Sequence, residues 1–417
     1  IIMCFMMIGL IASLISGCAG EGEGEGGGDK PQYGGELHMF ATADPTYFDD
    51  CIGPHSATTG PYQCLWGGDW AKGIAGGYGT KQCNWYVRGE INRMEFKTGK
   101  IAESWEIGDD YIIFHLRQGV KWQNKPPPKG RLVTADDVVF SLQRNMTLDT
   151  AYVKKSYPSV AAATSISKVD ESTVRINCSA QYMPELISLI EYMYIYPKDV
   201  IETYGNMNDW ERAIGTGAFT LEKYVAGSYL LYERNDLYWG TNPVGPGQGD
   251  QLPYLDSVRT LIIPDLSTAD ALFTTGKIDI TTADYDRAEA LKANCPNAKY
   301  NRFLDGAVKC VIYMRTDKAD KPYSDVRVRQ ALQLAIDGQK LVDELYEGDG
   351  RILYWPIWDT PEMANAYVPL EDLDDDMIEV LPGETISVAD LFGYNQDLAR
   401  ELVAEAGCSE GFQADIC

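Results

Sequence analysis

The stretch "GKIAESWEIGDDYIIFHLRQGVKW", Gly99–Trp122, is aromatic, amphiphilic and regular. Trp105–Ile107 reads as one strand and Gly108-Asp109-Asp110 as a turn, and the return strand sets Ile112, Phe114 and Leu116 on one face. His115 falls on the other face, where an exposed strand histidine is expected rather than a ligand. With one His, no Cys and no Gly-rich phosphate cradle, the stretch reads as scaffold, not as a catalytic centre.

Working outward, "TADDVVFSLQRN" predicts a helix. Thr134 with Asp137 three residues on makes a capping box, and Ala135, Val138, Val139 and Leu142 recur at helical spacing as a core stripe. Upstream, "GELHMFAT" (Gly35–Thr42) predicts a strand with Leu37, Met39 and Ala41 alternating, and Asp44-Pro45 turns the chain. Downstream, Ser324 is expected to cap a helix carrying Val328, Ala331, Leu332, Ala335 and Ile336. Asp337 is expected to cap a second helix with Leu341, Val342 and Leu345.

A chain of 417 residues, 45% hydrophobic and 11% aromatic, can bury a sizeable core in two or three domains. Its 36 Lys and Arg against 61 Asp and Glu leave a net charge of −25, which repels a phosphate backbone and excludes nucleic acid as a partner. Acidity of this kind serves solubility. His38, His55 and His115 are scattered and no CxxC occurs, so no metal site is expected. GxSxG, HExxH and P-loop motifs are absent, which points away from an enzyme and from any cofactor.

The first 18 residues, "IIMCFMMIGLIASLISGC", are uncharged and end in small residues before Cys18, which resembles a bacterial lipoprotein signal. The apolar run is shorter than the ~20 residues that span a bilayer. The resemblance implies a lipoprotein signal over residues 1–18 that is cut just before Cys18, leaving the lipidated Cys18 as the first residue of the mature chain. A flexible linker over 19–33 follows, in which Gly and Glu have nothing apolar to bury. Gly22, Gly24 and Gly27 match GxGxxG only through low complexity. Of ten cysteines, eight remain after Cys4 and Cys18. An oxidising compartment permits disulfides, whose pairing cannot be read from spacing.

Four blocks in order carry a resemblance to a known family. "IAESWEIGDDYIIFHLRQGVKW…TADDVVFSLQRN", "GTGAFTLEKYVAGSYLLYERNDLYWG" (Gly215–Gly240), "ALFTTGKIDI" and "DVRVRQALQLAIDGQKLVDELYEGDG" (Asp325–Gly350) resemble the family 5 extracellular solute-binding proteins, the peptide- and nickel-type receptors of ABC importers. The resemblance implies an α/β, bilobal periplasmic-binding-protein-like fold of the large class, whose first lobe carries an inserted subdomain. It would place the first lobe at 34–51 plus 179–263, the inserted subdomain at 52–178 and the second lobe at 264–417. Such receptors continue past "NQDLARELVAEAGCSEGFQADIC", so the second lobe is expected to be incomplete, with apolar patches exposed after about Pro264. The acidic residue that holds a peptide's α-amine in the family is expected beyond Cys417.

The implied function is capture of a solute, an oligopeptide or dipeptide foremost, by a lipid-anchored extracytoplasmic receptor that delivers it to ABC permease subunits. Nickel, haem or oligosaccharide binding, or ligand sensing, are the alternatives. Ligand contacts are expected at Gly53, Pro54, His55 and Ser56, where a loop exposes backbone groups to an extended peptide, although a plain Gly-Pro turn explains the same residues. Gly217, Ala218 and Phe219 are a second expected contact, through close backbone approach and an aromatic cover, with core packing the other role for Phe219. Trp355 and Trp358 either line the cleft or hinge, or cover a loop.

Overall fold

A computed structural model of the chain describes residues 30–53, 60–83, 93–302, 312, 314–350, 352 and 367–414. Its strands follow the alternation of their side chains. In β1 (Glu36–Ala41) Leu37 and Met39 are buried while Glu36 and His38 stay toward solvent. β1 lies parallel to β10 (Ser257–Ile262), and β9 (Tyr229–Arg234) and β8 (Phe219–Val225) extend the sheet antiparallel in the order β1-β10-β9-β8. Its core includes Phe48, Tyr62, Tyr196, Phe219, Leu221, Leu230 and Val258.

A second sheet has the order β4-β5-β7-β6 and is antiparallel throughout: β4 (Ala102–Ile107), β5 (Tyr111–Leu116), β7 (Thr173–Cys178) and β6 (Thr164–Asp170). The hairpin expected around Gly108 is β4–β5, with Trp105 opposite Phe114. Ile112 and Phe114 are fully buried, Leu116 nearly so, and the His115 ring stays half-exposed beside Glu106 at 3.2 Å. β2 (Trp66–Gly68) and β3 (Lys97–Gly99) pair separately and bring Trp66 edge-on to Phe114 and Trp105, with ring centroids 5.0 and 5.2 Å apart. Helix α1 (Ala135–Thr147) carries the expected capping box and buries Ala135, Val138 and Leu142, with Val139 partly covered. Short helices α2 (Tyr152–Ser156) and α3 (Pro158–Ala163) follow, then α4 (Met183–Leu189) and α5 (Lys198–Tyr204). Met183, Leu186, Leu189 and Met193 join the core of the second sheet, whereas the sequence reading assigned residues from Ser179 to the first lobe.

The chain divides into two units, Ile1–Phe303 and Leu304–Cys417. Helices α6 (Leu266–Thr274) and α7 (Tyr285–Asn294) fall in the first unit, although the sequence reading opened a second lobe at Pro264. The reason is local: Ala269 and Ile278 pack with Ile263, Phe40 and Leu261, and the Asp279 N–H donates to the His38 carbonyl at 2.8 Å.

The second unit holds α8 (Val326–Leu334), α9 (Gly338–Tyr346), the hairpin β11–β12 (Met377–Leu381 and Glu384–Ser387), the short α10 (Val388–Leu391) and α11 (Gln396–Glu405). Two expectations are corrected here. Asp325, not Ser324, caps α8, accepting from the Arg327 N–H at 2.9 Å, because Ser324 is spent closing a preceding 3-10 turn over Pro322–Ser324. The buried stripe is Val328, Ala331 and Leu334. Leu332 is half-covered, and Ala335 and Ile336 are exposed because α8 ends at Leu334. Asp337 caps α9 as expected, accepting from Lys340 N–H at 2.9 Å. Leu341, Leu345 and Tyr346 on α9 are exposed, as are Val326, Val368 and Met377. Among the described residues this unit buries a small core of Ala331, Leu334, Val380, Leu398, Ala399 and Leu402.

Candidate functional site

In an open sheet with a parallel pair, the C-terminal ends of the parallel strands are where the backbone opens toward ligand. Here those ends are Ala41 of β1 and Ile262 of β10, with the Ile263 N–H donating to the Ala41 carbonyl at 2.8 Å. The chain leaving β1 is held at nearly every step. The Asp44 carboxylate accepts from the Tyr224 hydroxyl at 2.8 Å and from the Gly227 N–H at 2.9 Å, so it closes the β8–β9 turn. Asp49, wholly buried, accepts both arms of the Arg144 guanidinium at 2.8 and 2.5 Å, a fork that matches carboxylate geometry. The Tyr62 hydroxyl donates to the Phe48 carbonyl at 2.8 Å, and the Tyr152 N–H to the Cys51 carbonyl at 2.9 Å. Burial pushes the Cys51 thiol up to about 12. Gly53 is buried against the Tyr47 ring, leaving no room for a Cβ.

The chain returns at Gly60 against Gly215–Gly217. A Cβ at either glycine would collide with the Gly60–Pro61 backbone, and the Gly217 N–H donates to the Pro61 carbonyl at 2.8 Å. Gln123 laces the same segment: its N–H donates to Gly215 O at 3.0 Å, its side-chain oxygen accepts from Gly215 N–H at 3.1 Å, and its Nε2 donates to Phe219 O at 2.9 Å. Asn235 Nδ2 donates to Gly217 O at 2.8 Å and its N–H to Ala218 O at 2.9 Å. Gln63 Oε1 accepts from the Thr216 hydroxyl at 2.9 Å and from Trp239 Nε1 at 3.0 Å.

The structure therefore sets Gly53 at the end of one segment, 47–53, and Gly217 against another, 60–63, and the Tyr62 hydroxyl bonded to the Phe48 carbonyl joins the two segments into one strip. It also changes what they can do. The Gly217 N–H and C=O and the Ala218 C=O are already bonded inside the protein, and Phe219 is buried in the first-sheet core, so these three build the scaffold under the strip. Pro54, His55, Ser56, Trp355, Trp358 and Cys18 lie outside the described residues. Sequence reasoning missed Asp49, Gln63 and Arg144. Arg144 stood within the quoted α1 block, but nothing local marks its partner 95 residues away.

Other polar clusters serve packing. Lys97 and Glu191 meet at 2.6 Å with both side chains excluded from solvent, and burial pushes the Glu191 carboxyl up despite Lys97. His38 lies between Glu36 at 3.1 Å and Asp279 at 3.3 Å. A groove of about 410 Å³ between α6 and α7 is lined by Thr274, Thr275, Leu291 and Asn294, with its Arg287 committed to Asp270. Among the described residues no group of His, Cys, Asp and Glu is arranged to hold a metal, and no helix is long and apolar enough to cross a membrane.

A profile of the bacterial extracellular solute-binding proteins, family 5 Middle, matches residues 98–416. The chain belongs to this family. Heme-binding protein A of Haemophilus influenzae is 30% identical over 78% of this chain and 58% of its own length. The dipeptide-binding protein of Escherichia coli is 28% identical over 78% of this chain and 59% of its own. The oligopeptide-binding protein AppA of Bacillus subtilis is 23% identical over 97% of this chain and 66% of its own. The chain thus spans roughly three fifths of the length of these curated relatives. Among solved structures, the periplasmic binding protein DppA of Helicobacter pylori, in complex with the peptide STSA, superposes with a TM-score of 0.64 at 20% identity, covering 91% of this chain and 67% of that one. The fold is that of the family 5 periplasmic binding proteins, whose members are extracytoplasmic binding proteins for transport and not enzymes.

Proposed function

We propose that the protein captures a dipeptide or oligopeptide outside the cytoplasm and delivers it to the permease subunits of an ABC importer. Similarity to relatives named for dipeptide and oligopeptide binding, over 78% and 97% of this chain, carries the reading. The strip at the end of β1 agrees with it, since an extended peptide can be held through backbone groups whatever its side chains. Gly53 is the described residue proposed to meet ligand. A lipid at Cys18, followed by the Gly/Glu linker, anchors the receptor to the cell membrane. A second reading, haem as the solute, is favoured by the 30% identity to Heme-binding protein A.

Mild denaturation of the purified protein, with mass analysis of what it releases, separates the two. Peptide masses are expected; a Soret-absorbing release transfers the function to haem, and a carbohydrate or metal alone overturns both. Recovery of chemically altered ligand from a stoichiometric mixture counts against a receptor. For the anchor, Cys18→Ala is expected to abolish lipid attachment and normal processing, and unchanged membrane attachment in that variant refutes it.

A further inference from the structure

We infer that Arg144 and Gln63 are positioning residues: each holds one side of the strip at the end of β1 in the arrangement that meets ligand. The inference rests on the receptor reading above and extends it to two side chains outside the expected contacts.

The two sides are held by different parts of the fold. Asp49 lies four residues before Gly53, and Arg144 reaches it from α1 with both guanidinium arms. The same guanidinium faces the Cys51 thiol and lies 5.8 Å from the Tyr196 ring centroid, so it is stacked as well as paired. The other side, Pro61–Cys64, is held by the Gly217 N–H on the Pro61 carbonyl, by the Ile101 N–H on the Cys64 carbonyl and, through both its side chain and its backbone, by Gln63. Its side chain joins Thr216 and Trp239, and its carbonyl accepts from the Ile195 N–H at 3.0 Å. A buried carboxylate gripped by a fork and an amide oxygen gripped by two donors each hold one geometry, which lowers the ordering cost of binding.

Two buried thiols report on the two sides independently. Cys51 sits beside Arg144, and Cys64, adjacent to Gln63, donates from Sγ to the Glu191 carbonyl at 2.8 Å. In the full chain, iodoacetamide labelling of each thiol is followed by peptide mapping, alongside binding of Ala-Ala and Ala-Ala-Ala by calorimetry. Arg144→Lys keeps the charge but loses the fork, and Gln63→Met keeps the shape but loses the acceptor. Arg131→Lys, at the Asp137 and Asp199 pair in the same unit, is the control.

The expected result is selective. Labelling of Cys51 rises about tenfold or more in Arg144→Lys with Cys64 unchanged, and the reverse holds in Gln63→Met. Affinity for the peptide that wild type binds falls about tenfold in both variants, and in the control neither thiol nor affinity moves. Uniform acceleration of all thiols in step with the urea midpoint overturns the inference in favour of general stability. Unchanged labelling, or selective labelling with unchanged affinity, overturns it as well. If wild type binds neither peptide, the peptide reading fails separately, and the same comparison is made with haem, the second proposed solute: selective labelling with an about tenfold fall in haem affinity supports the inference, and uniform labelling, unchanged affinity or no haem binding by wild type overturns it.

Discussion

A methyl group at position 217 would meet the Gly60–Pro61 backbone, which cannot swing aside as a side-chain tip can. Gly217→Ala is therefore expected to lower stability by about 1–3 kcal/mol in urea unfolding, and Gly215→Ala by a similar amount. At Gly53 the obstacle is the tip of the Tyr47 ring, which can rotate, so Gly53→Ala should cost less than either. The sequence suggested close approach at Gly217, but not that Pro61 would be the neighbour. The Arg131 guanidinium holds the Asp199 carboxyl below its ordinary value of 3.8. A depressed carboxylate adds stability that is present above the ordinary value and lost as pH falls through the lowered one. Stability should thus fall progressively below about pH 4, and Arg131→Gln should flatten that part of the acid-unfolding curve. An unchanged acid limb in the variant would show that the pair contributes nothing.

Elements were legible where their signals are local. The β4–β5 hairpin, the α1 capping box and the Asp337 cap of α9 were all readable within stretches of a few residues. Phe114 sits wholly inside the β4–β5 core against Trp66, so Phe114→Ala should cost about 3–5 kcal/mol. Leu341 and Leu345 look equally apolar in sequence, yet both are exposed on α9, and their change to Gln should move stability by no more than about 0.5 kcal/mol. Urea unfolding of the three variants distinguishes the two faces. A large loss for Leu345→Gln would mean that α9 packs its apolar face in solution. The α8 cap was misread by one residue because Ser324 and Asp325 are both good caps, and only the preceding turn decides between them.

At the scale of the whole molecule, a net charge of −25 makes self-repulsion a general term that salt screens. Raising salt from low concentration to about 0.5 M, where the Debye length drops below ~5 Å, should raise the thermal midpoint. A falling midpoint would mean that attractive pairs such as Arg144–Asp49 dominate instead. Among the described residues the first unit contains one large core for each four-stranded sheet and a smaller cluster around Ala269 and Ile278, and segments far apart in the chain join the two large cores: Gln123 precedes α1 yet bonds to Gly215 and Phe219 ahead of and within β8. Helix α6 belongs to this unit because Ala269 and Ile278 pack with Phe40, Leu261 and Ile263 at its first sheet, and α7 follows through the Arg287–Asp270 pair.

Alternation along β5, the Thr134–Asp137 box and the order of four family blocks were enough, from sequence alone, to set the β4–β5 hairpin, the first long helix and the family. Each depends on residues within one element or on their order along the chain. Tertiary structure alone decided that Phe219 is interior, that Arg144 meets Asp49 and that Gln63 joins Thr216 to Trp239. Partners 95 to 176 residues apart carry no mutual signal in spacing or propensity. Their meeting follows from how sheets and helices stack, and burial then makes each unmet donor or carboxylate costly enough to require that one partner.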